Sequence, residues 1–513
     1  MIAKVLSGAI LGMEGYLVEV EVDVAHRGLP KFSIVGLPEE AIRESKDRVK
    51  TAILNTGYRF PSRKITVNLA PADRKKEGTA FDLPIALGIL AATTGLGKEL
   101  IRRFLFVGEL SLDGQVKAVR GALPLALSAH HIGLEGIVVP LSNAQEAGVV
   151  EGLKVLSVES LATAVDFLSG TLELPRHCVD VGALFEKRSH RTLDLSEVKG
   201  QALAKRAIEI AAAGGHNLFF IGPPGSGKTM LARRIATVLP PMTLEESLET
   251  TKIYSVAGQL PPGTPLITQR PFRSPHHNVS DAGLIGGGTI PRPGEISLSH
   301  NGVLFLDELT EFRKNVLDLL RQPLEEGELT IARAAVSLRF PARMMFVGAM
   351  NPCPCGYLGD PTHACMCSAL QIQRYRSRLS GPLIDRIDLH VEVPRVPYKE
   401  LAQYETVSSE SVRIQERVCQ ARDIQHQRFV GLPIPCNAQM GPREIARYCH
   451  AGPQGMSLLE RAVEGLGLSA RAYSRILKVA RSIADLDGLE SLATHHIAEA
   501  IQYRILDREV ALA

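Results

Sequence analysis

Residues 222 to 229 read Gly222-Pro223-Pro224-Gly225-Ser226-Gly227-Lys228-Thr229 and follow the apolar run Leu218-Phe219-Phe220-Ile221. Glycines at these positions let backbone N–H groups close around phosphate oxygens, the lysine reaches the β and γ phosphates, and the threonine hydroxyl ligates Mg²⁺. The chemistry is the binding of ATP or GTP. A second apolar run, Gly302-Val303-Leu304-Phe305-Leu306, ends in Asp307-Glu308. Beside such a loop, Asp307 is expected to orient the metal and Glu308 to position and deprotonate an attacking water. A third run, Met344 to Met350, ends at Asn351, whose amide either holds the water or γ phosphate or merely opens a turn with Pro352. Arg386 stands in Leu383-Ile384-Asp385-Arg386-Ile387-Asp388, ahead of the strand pattern 389–393. In an oligomeric ATPase it would enter the neighbour's site and neutralise transition-state charge; otherwise it is a surface ion pair of little worth.

Four of the eight cysteines, Cys353, Cys355, Cys365 and Cys367, form two C-x-C hooks in one loop. Four thiolates can close a tetrahedral zinc site, although these hooks are tighter than the usual spacing, and reduced structural or surface thiols are the alternative. Arg374-Tyr375-Arg376-Ser377-Arg378 sets three cations around an aromatic ring, a composition suited to phosphate contact and base stacking or to ion pairs between subunits. The stretch 329–338 reads as a hairpin carrying Arg333, a cation of the kind that contacts a phosphate backbone. His276 and His277 are adjacent and so point apart, which argues for loop or interface residues rather than joint metal ligands.

These groups need elements to hold them. A chain of 513 residues exceeds one core and implies several domains. Its 45% hydrophobic and 22% charged residues are ordinary for a soluble protein. No apolar stretch reaches the roughly 20 residues that cross a bilayer, and the start lacks the hydrophobic block of a signal peptide. The expected location is the cytoplasm. A net charge of +3 does not by itself announce nucleic acid. Residues 17–24 alternate apolar and acidic side chains as a half-buried strand does, 64–69 repeat the pattern, 83–96 read as an apolar helix, and Asp113-Gly114 marks a hairpin turn. This outlines an α+β domain over 1–170, a linker over 171–192, an α/β nucleotide-binding domain over 193–397 with the phosphate loop at a strand's carboxyl end, and a helical lid over 398–513. Helices are expected over 408–428, 443–449 and 469–485.

The phosphate loop, Asp307-Glu308, Asn351, Arg386 and Ser469-Ala470-Arg471 together resemble, in order, the Walker A, Walker B, sensor 1, arginine finger and sensor 2 elements of an AAA+ ATPase. The resemblance implies that Arg471 senses phosphate from the lid and that Glu197-Val198-Lys199-Gly200-Gln201 borders the adenine. The insertion over 250–300, with Arg270-Pro271-Phe272-Arg273-Ser274-Pro275-His276-His277, is similar to the magnesium-chelatase branch, whose inserts face a central pore. The segments 108–114 and 75–84 resemble the proteolytic domain of Lon, of the ribosomal-S5 type, but the positions of its serine and lysine hold Ala80 and Leu123, which speaks against proteolysis. A Lon-like domain ahead of a chelatase-type module resembles the YifB/ComM family over essentially the full length. That resemblance implies a hexameric ring using ATP and Mg²⁺, acting on DNA as a helicase that promotes branch migration in recombination during natural transformation. The rival readings are a chelatase-like ATPase that remodels a protein partner and, less favoured, an ATP-dependent protease.

Overall fold

Val18, Val20, Val22 and Val24 are fully buried, while Glu19, Glu21 and Asp23 between them remain on the other face. That period of two is the signature of a strand with one wet side. It builds the antiparallel pair β1 (Ile2–Leu11) and β2 (Glu14–Val24), and on the wet face Lys4 pairs with Glu19 at 3.2 Å and Glu21 at 2.7 Å. A computed structural model describes residues 1–27, 29–186, 193–288, 290–333, 336–397, 400 and 409–504. Of the expected linker, 187–192 lie outside the described residues, as does the start of the 408–428 helix.

The chain divides into two units. The first comprises Met1–Arg188 together with Leu244–Thr268. Its sheet adds β3 (Lys31–Val35), β4 (Lys64–Ala70), β5 (Phe104–Phe106), β6 (Gly136–Pro140), β7 (Lys154–Val158) and β8 (Arg176–His177), in the order β8-β7-β6-β5-β1-β2-β4-β3. The apolar helix expected over 83–96 is Asp82–Thr94, buried from Asp82 through Ala92. The Asp113-Gly114 turn joins the short pair Glu109–Leu110 and Val116–Lys117. Leu123 is buried in the core.

The second unit comprises Ser189–Thr243 and Gln269–Ala513. Its sheet contains β9 (Leu218–Ile221), β10 (Phe272–Arg273), β11 (Val303–Leu306), β12 (Met345–Met350) and β13 (Leu389–Glu392) in the order β10-β11-β12-β9-β13, every pair parallel. The three central strands, β11, β12 and β9, are near-continuous apolar runs, buried at every residue because the sheet is covered on both faces there. The helices that follow include Glu410–Arg428, Pro442–Tyr448, Pro453–Leu466, Ala470–Leu486 and Thr494–Gln502. Ile414, Ile476, Ile483 and Ile497 from this lid share one core with Phe220, Phe305 and Val347 of the sheet.

Leu244–Thr268, where the chelatase-type insertion of the expected 193–397 domain begins, packs with the amino-terminal unit. Leu248 of the helix Leu244–Ala257 rests on the cluster of Leu105, Leu125 and Ile137. Ser255 closes the contact: its hydroxyl donates to the buried Glu146 carboxylate, and its carbonyl accepts the Gly121 N–H at 3.2 Å. Among the described residues, no helix is long and apolar enough to cross a membrane.

Candidate nucleotide site

β9 is buried at every residue and ends where the phosphate loop starts. A Cβ on Gly222 would lie 2.1 Å from the Val393 carbonyl oxygen, so only glycine lets the loop begin this close to the end of β13. Gly225 and Gly227 have φ of +75° and +95°, the left-handed region that glycine enters without penalty. The helix Lys228–Ile235 starts directly after them, so its unbonded N–H groups face the loop.

Lys228 Nζ donates to the carbonyls of Gly222 at 2.7 Å and Pro223 at 2.9 Å, and to Asn351 Oδ1 at 3.2 Å. Burial lowers the Lys228 pKa, against the opposing charges of Asp307 and Glu308. The Ser226 hydroxyl is buried without a hydrogen-bond partner. A desolvated cation resting on its own loop carbonyls, an unused hydroxyl and a helix start are donors in search of an anion, and they fit the phosphates of a nucleotide. The Thr229 hydroxyl donates to Asp307 Oδ2 at 2.5 Å, so the two groups expected to share Mg²⁺ already meet. Gln201 Nε2 reaches the Pro394 carbonyl at 2.6 Å and the Ser226 carbonyl at 3.4 Å, which ties the segment expected beside the adenine to the loop.

Glu308 follows Asp307 with φ +49° and ψ +49°, a left-handed conformation that costs a non-glycine residue about 1–2 kcal/mol. Its N–H donates to Asp307 Oδ1 at 2.9 Å. The turn leaves the Glu308 side chain 58% exposed, with His277 Nδ1 3.8 Å from its carboxylate. The sequence held no signal for that neighbour: His277 read as a loop or interface residue.

The remaining expected residues are not gathered around the loop. Arg386 is held in its own chain, its side chain 9% exposed, paired with Glu325 at 2.5 Å and donating to the Pro382 carbonyl. Arg471 is 59% exposed and lies 4.0 Å from the same Glu325 oxygen. Hydrogen bonding from Arg386 holds the Glu325 carboxyl below the usual range. Glu325, which no motif marks, thus gathers the expected finger and sensor 2 arginines on one carboxylate.

The basic stretch is corrected in part. Tyr375 is buried, which removes it as a stacking platform, and Arg376 donates to the Pro352 carbonyl at 3.3 Å. Arg378 pairs with Glu311 at 3.2 Å. Packing of the helix Ala369–Arg376 against the loop after β12 turns Tyr375 and Arg376 inward, while Arg374 and Arg378 stay exposed. Arg333 is exposed on the hairpin Glu328–Arg333 with Val336–Pro341, as expected for its stretch. Cys353, Cys355, Cys365 and Cys367 come together, all four sulfurs lying within 4.8 Å of one another.

Comparison with known proteins places this geometry. Residues 194–401 match the family described as magnesium chelatase, subunit ChlI, residues 20–143 match subunit ChlI of Mg-chelatase, and residues 408–504 match its C-terminal region. The competence protein ComM of Haemophilus influenzae is 47% identical over 509 residues, covering 99% of this chain and 98% of that protein. The YifB protein of Escherichia coli is 44% identical over 503 residues, covering 98% of this chain and 96% of that protein. The chain belongs to the YifB/ComM family. This is a magnesium-chelatase-like AAA+ family, and membership implies ATP hydrolysis with Mg²⁺. A more distant likeness, 27% over 176 residues, links 31% of the chain to 49% of the magnesium-chelatase 38 kDa subunit of Rhodobacter capsulatus.

Proposed function

We propose that the chain is the subunit of a cytoplasmic, ATP-driven ring motor, hexameric as in AAA+ machines, which acts on DNA as a helicase and promotes branch migration in recombination. The observation that carries the ATPase part is the convergence of Lys228, Thr229, Asp307 and Asn351, residues up to 123 positions apart, on one loop. Mg²⁺, when bound, neutralises phosphate charge and orients the oxygens. Thr229 and Asp307 are the residues that would hold it, Lys228 and the loop N–H groups would bind the phosphates, and Asn351, which accepts from Lys228, would help orient the attacking water. Glu308, exposed on its left-handed turn, takes the proton of that water. Arg386 completes the site from the neighbouring subunit, which requires it to exchange Glu325 for phosphate, and Arg471 reads the phosphate from the lid.

The DNA part is supported by the name of the Haemophilus relative, a competence protein, and by the exposed Arg333 and Arg374. Its test is ATP hydrolysis by the purified chain, with Glu308→Gln as control, over no DNA, single strands, duplex and a synthetic four-way junction at fixed salt. Stimulation by DNA that is lost in the control, and greatest for the junction, is the expected result. The chelatase likeness supports a second reading, an ATPase that remodels a protein partner. Hydrolysis indifferent to every DNA would favour that reading and overturn the first.

A further inference from the structure

The loop after Asn351 has almost no core of its own. From Tyr357 through Leu370 no apolar residue is buried, and Met366 is 89% exposed. Its order comes from turns, with Asp360 accepting the Thr362 N–H at 2.7 Å and Tyr357 stacking on His363 with ring centroids 5.0 Å apart. Within this loop four sulfurs are drawn to one point. Cys353 Sγ and Cys355 Sγ are 3.3 Å apart, and each is 3.6 Å from Cys365 Sγ. These separations are far beyond the roughly 2.05 Å of a disulfide. A zinc ion bound tetrahedrally by thiolates at about 2.3 Å sets its sulfurs roughly 3.8 Å apart, so the cluster has the size of a cage for one ion. An iron–sulfide cluster, with several irons between the thiolates, needs a wider one. Backbone N–H groups of Tyr357 and Met366 point at Cys355 Sγ, donors of the kind that stabilise a ligating thiolate.

The same loop abuts the phosphate loop. Gly356, with φ +86°, lies so close to Pro224 that a Cβ on it would sit 2.6 Å from Pro224 Cδ. At the loop's start Asn351 accepts from Lys228, and Arg376 grips the Pro352 carbonyl just after it. We propose that Cys353, Cys355, Cys365 and Cys367 hold one zinc ion as four thiolates, and that this ion braces the phosphate loop through Gly356 and Pro224, making the metal a determinant of nucleotide affinity. Soft sulfur donors in tetrahedral array select zinc among abundant divalent ions. The bracing step rests on the nucleotide reading of the loop; the metal site itself does not, and neither depends on DNA.

The test begins with the full-length chain purified in metal-free buffer. Elemental analysis is expected to find one zinc per chain. Replacement by Co²⁺ is expected to give the intense visible bands of a tetrahedral tetrathiolate. Releasing the metal with a mercurial, or mutating Cys367→Ser, is expected to weaken binding of a fluorescent ATP analogue by roughly tenfold, about what re-ordering one backbone residue on binding would cost. Far-ultraviolet circular dichroism should hold its native shape throughout. Iron in place of zinc, markedly less than one zinc per chain, or an octahedral cobalt spectrum overturns the site. Stoichiometric zinc with unchanged affinity after release overturns the bracing. A wild-type chain that fails to bind the analogue at all while carrying one zinc refutes the nucleotide reading and leaves the metal site standing.

Discussion

Asp388 offers the sharpest test of how the lid is joined to the sheet. It stands just before β13, with its side chain 3% exposed, and its carboxylate is contacted from three directions. Asn217 N–H donates to Oδ2 at 3.0 Å, Arg475 of the lid helix Ala470–Leu486 donates to Oδ1, and His216 Nδ1 lies 3.5 Å from Oδ2. The perturbation is Asp388→Asn, which keeps shape and an acceptor for Asn217 but removes the charge. Breaking a buried pair by removing one partner costs about 3–5 kcal/mol. Arg475 is 21% exposed and can recover some hydration, so the expected loss is roughly 2–4 kcal/mol. Burial acts to raise the Asp388 pKa, but Arg475, His216 and the Asn217 N–H outweigh it and hold the carboxyl well below the usual range. A carboxyl depressed on folding contributes stability that is fully present above its unfolded pKa of about 3.9 and is lost as pH falls through and below that value. The cost of the substitution should therefore be flat from about pH 5 to pH 8 and shrink below about pH 4.

The chain has no tryptophan, so urea unfolding is best followed by helical circular dichroism, with and without Mg-ATP. The transition that nucleotide shifts belongs to the carboxyl-terminal unit, and only that transition should move in the variant. A cycle with Arg475→Met should show that the double variant loses less than the sum of the single losses. A loss under about 0.5 kcal/mol at pH 7, additive losses, or a difference that persists undiminished in acid would refute the reasoning.

Three further outcomes follow from the same geometry. Gly222→Ala sets a Cβ 2.1 Å from the Val393 oxygen, and the resulting shift of the loop should weaken nucleotide binding by roughly tenfold or more, in line with an overpacking cost of about 1–3 kcal/mol, while helical content is retained; wild-type affinity by calorimetry would contradict this. Arg386→Ala should keep nucleotide binding yet hydrolyse about 10³-fold slower or worse, and mixing it with Lys228→Ala chains should restore part of the rate, because hybrid interfaces join an intact loop to an intact Arg386; mixtures with no more activity than the separate variants would refute action across subunits. His390 is fully buried, and burial keeps its ring neutral by pushing the pKa well below the ordinary value. The unfolded chain takes up a proton there below about pH 6.5, so stability should fall with acidification by up to about 1.4 kcal/mol per pH unit from this residue. His390→Phe should flatten the unfolding free energy between pH 5 and pH 6.5, and an unchanged slope would sink the account.

Local chemistry was legible in the sequence because it is local. The phosphate loop needs consecutive residues, the β2 alternation is a period of two, and strands such as β9, β11 and β12 announce themselves as short apolar runs bounded by polar ends. The helices Glu410–Arg428, Pro442–Tyr448 and Ala470–Leu486 lie close to the spans expected for them. What the residue order could not carry is the choice of partners across the chain, because that choice depends on which surfaces pack together. Nothing near Leu244–Thr268 says that it packs on the amino-terminal unit, and nothing near Glu325 says that it gathers Arg386 and Arg471. The pattern Arg374-Tyr375-Arg376 suggests an open face, yet burial of Tyr375 and the grip of Arg376 on Pro352 turn most of it inward. Residue order alone marks the phosphate-loop pattern and the short apolar runs of the strands, since spacing and turn chemistry act within a few residues. Only the tertiary structure decided that Asn351 meets Lys228, that Glu308 stands in a left-handed turn beside His277, and that four sulfurs close to the size of one ion, because each of these follows from sheet order and packing.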